Sequence, residues 1–188
     1  MSGTMNYIID NIYLGCFESA ENKNLLVKNN IKYIFNVAVE CNNSDSIKNM
    51  DVCVHKYNIY DDYDINMTIL EDIYKKINKV NITDGNILIH CAHGRSRSVC
   101  IVLFYLIKKH NWTITKALEF VKKSRPVVHP SPNYIKLLSE IDTSFDINSY
   151  YINYLKQNFE IKINENQLLT LIKSKSYDLN KIVNEIYI

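Results

Sequence analysis

The chain has 188 residues, 47% hydrophobic and 22% charged, proportions that suit a soluble globular protein with room for one domain and an appendage. Its 22 Lys and Arg against 20 Asp and Glu leave a formal net charge of +2, which excludes the strongly basic field of a nucleic-acid binder. The 5 cysteines are odd in number and form no CxxC pair; they show no metal pattern and point to a reducing home, cytosolic or nuclear.

The opening Met1-Ser2-Gly3-Thr4-Met5-Asn6 has neither a charged n-region nor an apolar h-region, so no secretory signal is expected. Ile8 to Gly15 reads as two short strand pieces about an Asp10-Asn11 turn. Leu25, Leu26 and Val27 sit on a short helix ending near Asn29-Asn30. The β-branched and aromatic run Ile31 to Val39 predicts a buried central strand, and polar Cys41 to Asn49 predicts a loop. Val52 to Ile59 predicts a further strand, ended by the acidic loop Asp61-Asp62-Tyr63-Asp64. Ile69, Leu70, Ile73 and Ile77 recur at helical spacing. Asp84-Gly85 then turns the chain into a strand from Ile87 to His90. Val99 to Ile107 is apolar on nearly all sides, which predicts a buried helix, and it is far too short to span a bilayer. Thr113 is placed to cap a helix carrying Ile114, Ala117, Leu118 and Val121. Pro126, Pro130 and Pro132 interrupt the chain before Tyr134, Leu137, Leu138 and Ile141 resume a helix.

Strands alternating with helices predict an α/β architecture around a mostly parallel sheet, with its site beyond the carboxyl ends of the strands. From about Phe145 the character changes to three short helical patterns: Tyr151 to Phe159, Leu168 to Ile172, and Leu179 to Ile186. Asn164 with Gln167, and Asp178, are placed as caps. The expected organisation is a catalytic domain over 1–144 and a helical C-terminal extension over 145–188. That extension packs back on the domain, offers a contact to a partner or a second copy, or forms a small three-helix module that faintly resembles a ubiquitin-associated domain.

Residues 90–98 read His-Cys-Ala-His-Gly-Arg-Ser-Arg-Ser, between the predicted strand and the predicted buried helix. At a helix N-terminus the first backbone N–H groups lack intrahelical partners, and the helix dipole adds about half a positive charge. A loop over those amides surrounds an anion with donors. Gly94 lets the backbone bend, and Arg97 offers a planar fork for two phosphate oxygens. The same field favours thiolate over thiol, making Cys91 a nucleophile. A phosphate monoester is the expected anion and its hydrolysis the expected activity. Cys16, Cys53 and Cys100 lie in apolar surroundings, whereas Cys41 in its loop is the alternative redox partner for Cys91.

The loop resembles the signature His-Cys-x-x-Gly-x-x-Arg-Ser of the cysteine-based protein tyrosine phosphatase superfamily. Ile8 to Gly15, Ile31 to Ala38, and Arg125-Pro126 followed by Pro132-Asn133-Tyr134 resemble segments of its dual-specificity branch, in the same order. The resemblance spans about residues 6 to 142 and is closest to the small, atypical members. It implies a three-layer phosphotyrosine phosphatase-like α/β fold and a two-step reaction through a phosphocysteine, with no metal or cofactor. Cys91 would attack phosphorus, while Asp61 would protonate the leaving oxygen; Asp62 and Asp64 are rivals for that acid. The amides of Ala92, His93, Gly94, Arg95, Ser96 and Arg97, with the Arg97 guanidinium, would hold the phosphate oxygens. Ser98 would hydrogen-bond the departing thiolate. His90 would position the loop and tune Cys91, and Asn133 would brace the loop.

Two positions depart from the family pattern: His93, where a small residue is usual, and Arg95, where an apolar one is common. Both add basic character at the pocket mouth. The run Gly94-Arg95-Ser96-Arg97-Ser98 also resembles the mitochondrial phosphatidylglycerophosphate phosphatases, which makes a lipid phosphate or phosphoinositide the second substrate reading. Binding of phosphorylated partners without turnover is a third, and the intact Cys91, Arg97 and Asp61 weigh against it. No Trp-Pro-Asp acid loop is present, which implies a shallow pocket open to phosphoserine and phosphothreonine as well as phosphotyrosine. Expected partners are phosphorylated proteins, with no nucleic acid and no integral membrane association.

Overall fold

Ile87, Leu88 and Ile89 are all fully buried, so side chains on both faces of one strand are covered. That is the pattern of a parallel strand sandwiched between helices. In this computed structural model, which describes residues 3–61 and 65–186, the strand is β5 (Asn86–His90), at the centre of the sheet. β2 (Ile12–Gly15) and β3 (Ile31–Asn36) flank it in parallel, and β4 (Cys53–Lys56) adds to β3, also parallel. β1 (Met5–Ile9) pairs antiparallel with β2, giving the order β1-β2-β5-β3-β4 among the described residues. The sheet is therefore mixed, antiparallel only at its hairpin edge. The hairpin turns at Asp10, whose φ is 54° and whose carboxylate accepts from Tyr105 and His110.

The two faces divide the core. Ile34 and Leu88 pack with Ala20, Leu26 and Ile47 from α1 (Phe17–Ala20), α2 (Lys23–Lys28) and α3 (Asp45–Lys48). Phe35, Ile87 and Ile89 point the other way, as the two-residue period of a strand requires. They meet α4 (Met67–Lys79), α5 (Arg97–His110), α6 (Ile114–Ser124) and α7 (Pro132–Ser139). α5 is buried continuously from Arg97 to Ile107, the central prop under the sheet. The result is a three-layer α/β fold.

Several local expectations shift: the strand read as Val52 to Ile59 is confined to β4, and Cys53 on it is exposed rather than in apolar surroundings. The strand read as Ile31 to Val39 ends at Asn36, because the Asn36 side chain accepts from Ala38 N–H and donates to the Cys41 carbonyl, turning the chain out of the sheet. The polar stretch Cys41 to Asn49 contains the short helix α3. Ile141 lies past the end of α7 and is exposed.

The last helices are α8 (Ile147–Asn158), α9 (Glu165–Ser174) and α10 (Leu179–Ile186), with Asp146 and Asn164 as caps and Asp178 accepting from Lys181 N–H. They form their own apolar cluster around Tyr151, Leu155, Leu168, Ile172 and Ile182. This unit is tied to the rest by Tyr151 donating to Asn133 Oδ1, Tyr150 to the Pro130 carbonyl and Lys136 to the Ser176 carbonyl. Among the described residues no helix is long and apolar enough to cross a membrane.

Candidate active site

β5 ends at His90 and α5 begins at Arg97, so residues 91–96 turn over the carboxyl edge of the sheet onto the first turn of the helix. Gly94 has φ +64°, and a Cβ there would lie 2.3 Å from the Gly15 carbonyl oxygen, so only glycine fits. Ser96 occupies the N-cap of α5 without capping it; its Oγ accepts instead from Ser131 N–H at 3.0 Å. The backbone N–H groups of Ala92, His93, Arg95, Ser96 and Arg97 donate to no protein acceptor among the described residues. Uncommitted amides at the start of a 14-residue helix make an anion cradle.

Cys91 sits at its base, 2% exposed. Gly94 N–H donates to its Sγ at 3.3 Å, and the Ser98 hydroxyl lies 3.2 Å away, two groups able to hold a sulfur anion. His90 is fully buried, its Nδ1 3.3 Å from the Cys91 carbonyl oxygen. Burial pushes the imidazole down to about 4, so it is neutral at physiological pH. His90 can thus position the strand end, but it lends Cys91 no positive charge, which narrows the tuning role expected of it.

Arg97 is 3% exposed, and its guanidinium is already gripped. Nη1 and Nη2 donate to the two carboxylate oxygens of Glu40 at 2.7 and 2.5 Å, and Nη1 also donates to the Ile59 carbonyl. Of five N–H donors, the parallel pair on Nε and Nη2 remains. Nε has no hydrogen-bond partner among the described residues, and Asp61 Oδ1 lies 3.5 Å from it. That edge is the fork available to a phosphate. The Arg97 guanidinium holds the Glu40 carboxyl below the usual range, so the pair is ionised at neutral pH.

Glu40 was not singled out by sequence reading. Its signal was position: a carboxylate just beyond the carboxyl end of a strand beside β5. Asn36 bends the chain there, and Lys56 Nζ donates to the Ala38, Val39 and Cys41 carbonyls, fixing the turn that carries Glu40.

Asp61 is half-exposed at the pocket mouth and lines one cavity of about 220 Å³ with Cys91, His93, Arg95, Ser96 and Arg97. Tyr134 reaches toward it, its hydroxyl 3.5 Å from Oδ1. Asp62 and Asp64 lie outside the described residues. His93 and Arg95 are exposed on the rim, and Arg95 Nε donates to the Val127 carbonyl. Burial raises the Cys41 thiol to about 11, which makes it a poor attacker in a redox exchange with Cys91.

Asn133 differs from expectation. Its Oδ1 accepts from the Tyr151 hydroxyl and Leu179 N–H, so this side-chain oxygen faces the C-terminal helices. Arg125, 3% exposed, braces the loop: its Nε donates to the Gly94 carbonyl at 2.8 Å and its Nη2 to the His93 carbonyl at 3.2 Å. The planar guanidinium fork thus spans two successive carbonyls of the loop. His129 N–H adds a bond to the Arg95 carbonyl at 2.9 Å.

The family model for the dual specificity phosphatase catalytic domain matches residues 12–144. Dual specificity protein phosphatase 1 of Arabidopsis thaliana is 33% identical over 145 residues, 76% of this chain and 71% of its own length. Among solved structures, human DUSP28 superposes with a TM-score of 0.67 at 20% identity, covering 74% of this chain and 93% of that one. PTPMT1 in complex with PI(5)P gives 0.65 at 23% identity, covering 77% and 97%. The chain belongs to the dual specificity phosphatases of the cysteine-based protein tyrosine phosphatase superfamily, hydrolases of phosphate monoesters on tyrosine, serine and threonine of proteins.

Proposed function

We propose that this chain hydrolyses phosphoproteins through a phosphocysteine on Cys91, with Arg97, Asp61 and Ser98 as its catalytic partners. The observation that carries the reading is the junction of three things at one point: a buried sulfur receiving donors, a row of uncommitted amides, and the open Nε/Nη2 edge of Arg97. In the first step Cys91 Sγ attacks phosphorus, the bond to the leaving oxygen breaks, and Asp61 gives that oxygen its proton. In the second, Asp61 takes a proton from water, the water oxygen bonds phosphorus, and the thiolate leaves toward Ser98. The cradle and Arg97 hold the equatorial oxygens throughout, fixed donors aimed at the transferring group. The five unpaired thiols suit a reducing compartment, cytosol or nucleus.

The test is turnover of p-nitrophenyl phosphate and of phosphotyrosyl and phosphothreonyl peptides, with phosphoinositide vesicles as a separate arm. Cys91→Ser should abolish turnover yet keep phosphate binding. Asp61→Asn should lower turnover by about 100-fold or more on alkyl phosphates and less on p-nitrophenyl phosphate, whose leaving group needs little protonation. A larger loss in Asp62→Asn or Asp64→Asn would move the acid. Turnover confined to the vesicles would favour the lipid reading suggested by the Gly94–Ser98 run and the likeness to PTPMT1.

A further inference from the structure

Two side chains from beyond the family match line the same cavity as Cys91. α8 lies outside residues 12–144, yet Tyr154 and Asn158, one turn apart on it, border that cavity together with His129. The three are connected. The His129 ring stacks on Tyr154 with centroids 4.8 Å apart and planes within 9°, and Asn158 Nδ2 lies 3.1 Å from His129 Nε2. Burial, with Lys122 and Arg95 nearby, lowers the affinity of His129 for a proton, so its neutral ring can accept from the Asn158 amide. His129 N–H in turn donates to the Arg95 carbonyl of the phosphate loop. Tyr150, on the same helix, donates to the Pro130 carbonyl at 2.7 Å and holds α8 against this segment. Loop, His129 and α8 thus form one continuous wall.

We propose that this wall determines specificity: Tyr154, Asn158 and His129 raise the rim over Cys91 and favour phosphotyrosine over phosphothreonine and phosphoserine. The proposal rests on the phosphatase reading of Cys91. Its physical basis is reach. Cys91 is at the bottom of the pocket, 2% exposed. Phosphotyrosine carries its phosphorus a full ring farther from the backbone than phosphothreonine does, so it clears a raised rim that would hold a short side chain off the sulfur. The aromatic wall also offers a phenyl ring a stacking or edge contact, which a phosphothreonine cannot use. The family pattern implied a shallow pocket; the wall built by Tyr154, Asn158 and His129 along this cavity would deepen it.

The experiment compares kcat/KM for a phosphotyrosyl and a phosphothreonyl peptide of otherwise identical sequence, in the full chain. Wild type should favour phosphotyrosine. Tyr154→Ala and Asn158→Ala should each lower the preference about tenfold, while Tyr154→Phe keeps it. Exposed Asn158 provides a second variant where Tyr154→Ala fails to fold. The ratio is read in variants whose thermal midpoint matches wild type, so damage to the fold does not enter it. An unchanged ratio in an enzyme that turns over both peptides overturns the wall proposal alone. No turnover of any phosphomonoester by wild type overturns the catalytic reading beneath it.

Discussion

Glu40 shows how a single side chain decides what a buried arginine can do. Arg97 without a partner would be a charge in a nearly dry site, which is costly. With the Glu40 carboxylate on one edge, its other edge is aimed and left for a phosphate. Glu40→Gln keeps the shape but weakens the grip, so Arg97 should wander. We expect kcat/KM on p-nitrophenyl phosphate to fall about tenfold, since small misplacements of a binding group carry large rate costs. Unchanged kcat/KM would mean that the Ile59 carbonyl alone orients Arg97. Cys91 and Arg97 were legible in the sequence because their spacing is local. Glu40 was not, because it lies 57 positions from its partner and reaches it only through the turn that Asn36 and Lys56 build.

At the scale of elements, the strand, loop and helix over residues 86–110 form a unit whose conformation depends on one glycine. Gly94→Ala would place a Cβ against the Gly15 carbonyl at positive φ, straining the loop and parting β2 from it. The expected cost is ~3 kcal/mol or more, with a lower thermal midpoint and lost phosphate binding. A normal midpoint with normal binding would show that the loop can adopt another path. Helices with periodic apolar faces and capping residues were readable, down to Thr113 and the Asn164–Gln167 box. The end of β3 was not, because apolar Val37 to Val39 continue its pattern while the Asn36 side chain redirects the backbone. Asn133 was readable by position, but that its side-chain oxygen turns to α8 and α10, and that Arg125 holds the loop carbonyls, was not.

For the whole molecule, buried His90 links stability to pH. Its folded-state value is about 4 against 6.5 for a free histidine, because burial penalises the charged ring. The unfolded chain therefore takes up the proton first as pH falls. Stability from keeping His90 neutral is complete above about 6.5 and is lost as pH falls toward 4, by about 3 kcal/mol. His55 and His129 shift in the same direction. Urea midpoints should drop across that window in wild type and less steeply in His90→Gln; equal slopes would assign the dependence to other groups. The C-terminal helices add an apolar cluster of their own and, through α8, a wall to the catalytic cavity. The helices themselves were visible in the sequence as three short helical patterns, but their packing and their approach to Cys91 were not, since these depend on how α8 meets the segment around His129. The chemistry at the centre is tested most directly by rapid quenching of wild-type enzyme during turnover of a phosphotyrosyl peptide, followed by mass analysis of the segment containing residue 91. A phosphate on Cys91, absent in an inactive Cys91→Ser variant, is expected; phosphate on another residue, or turnover retained by Cys91→Ser, would refute Cys91 as the nucleophile.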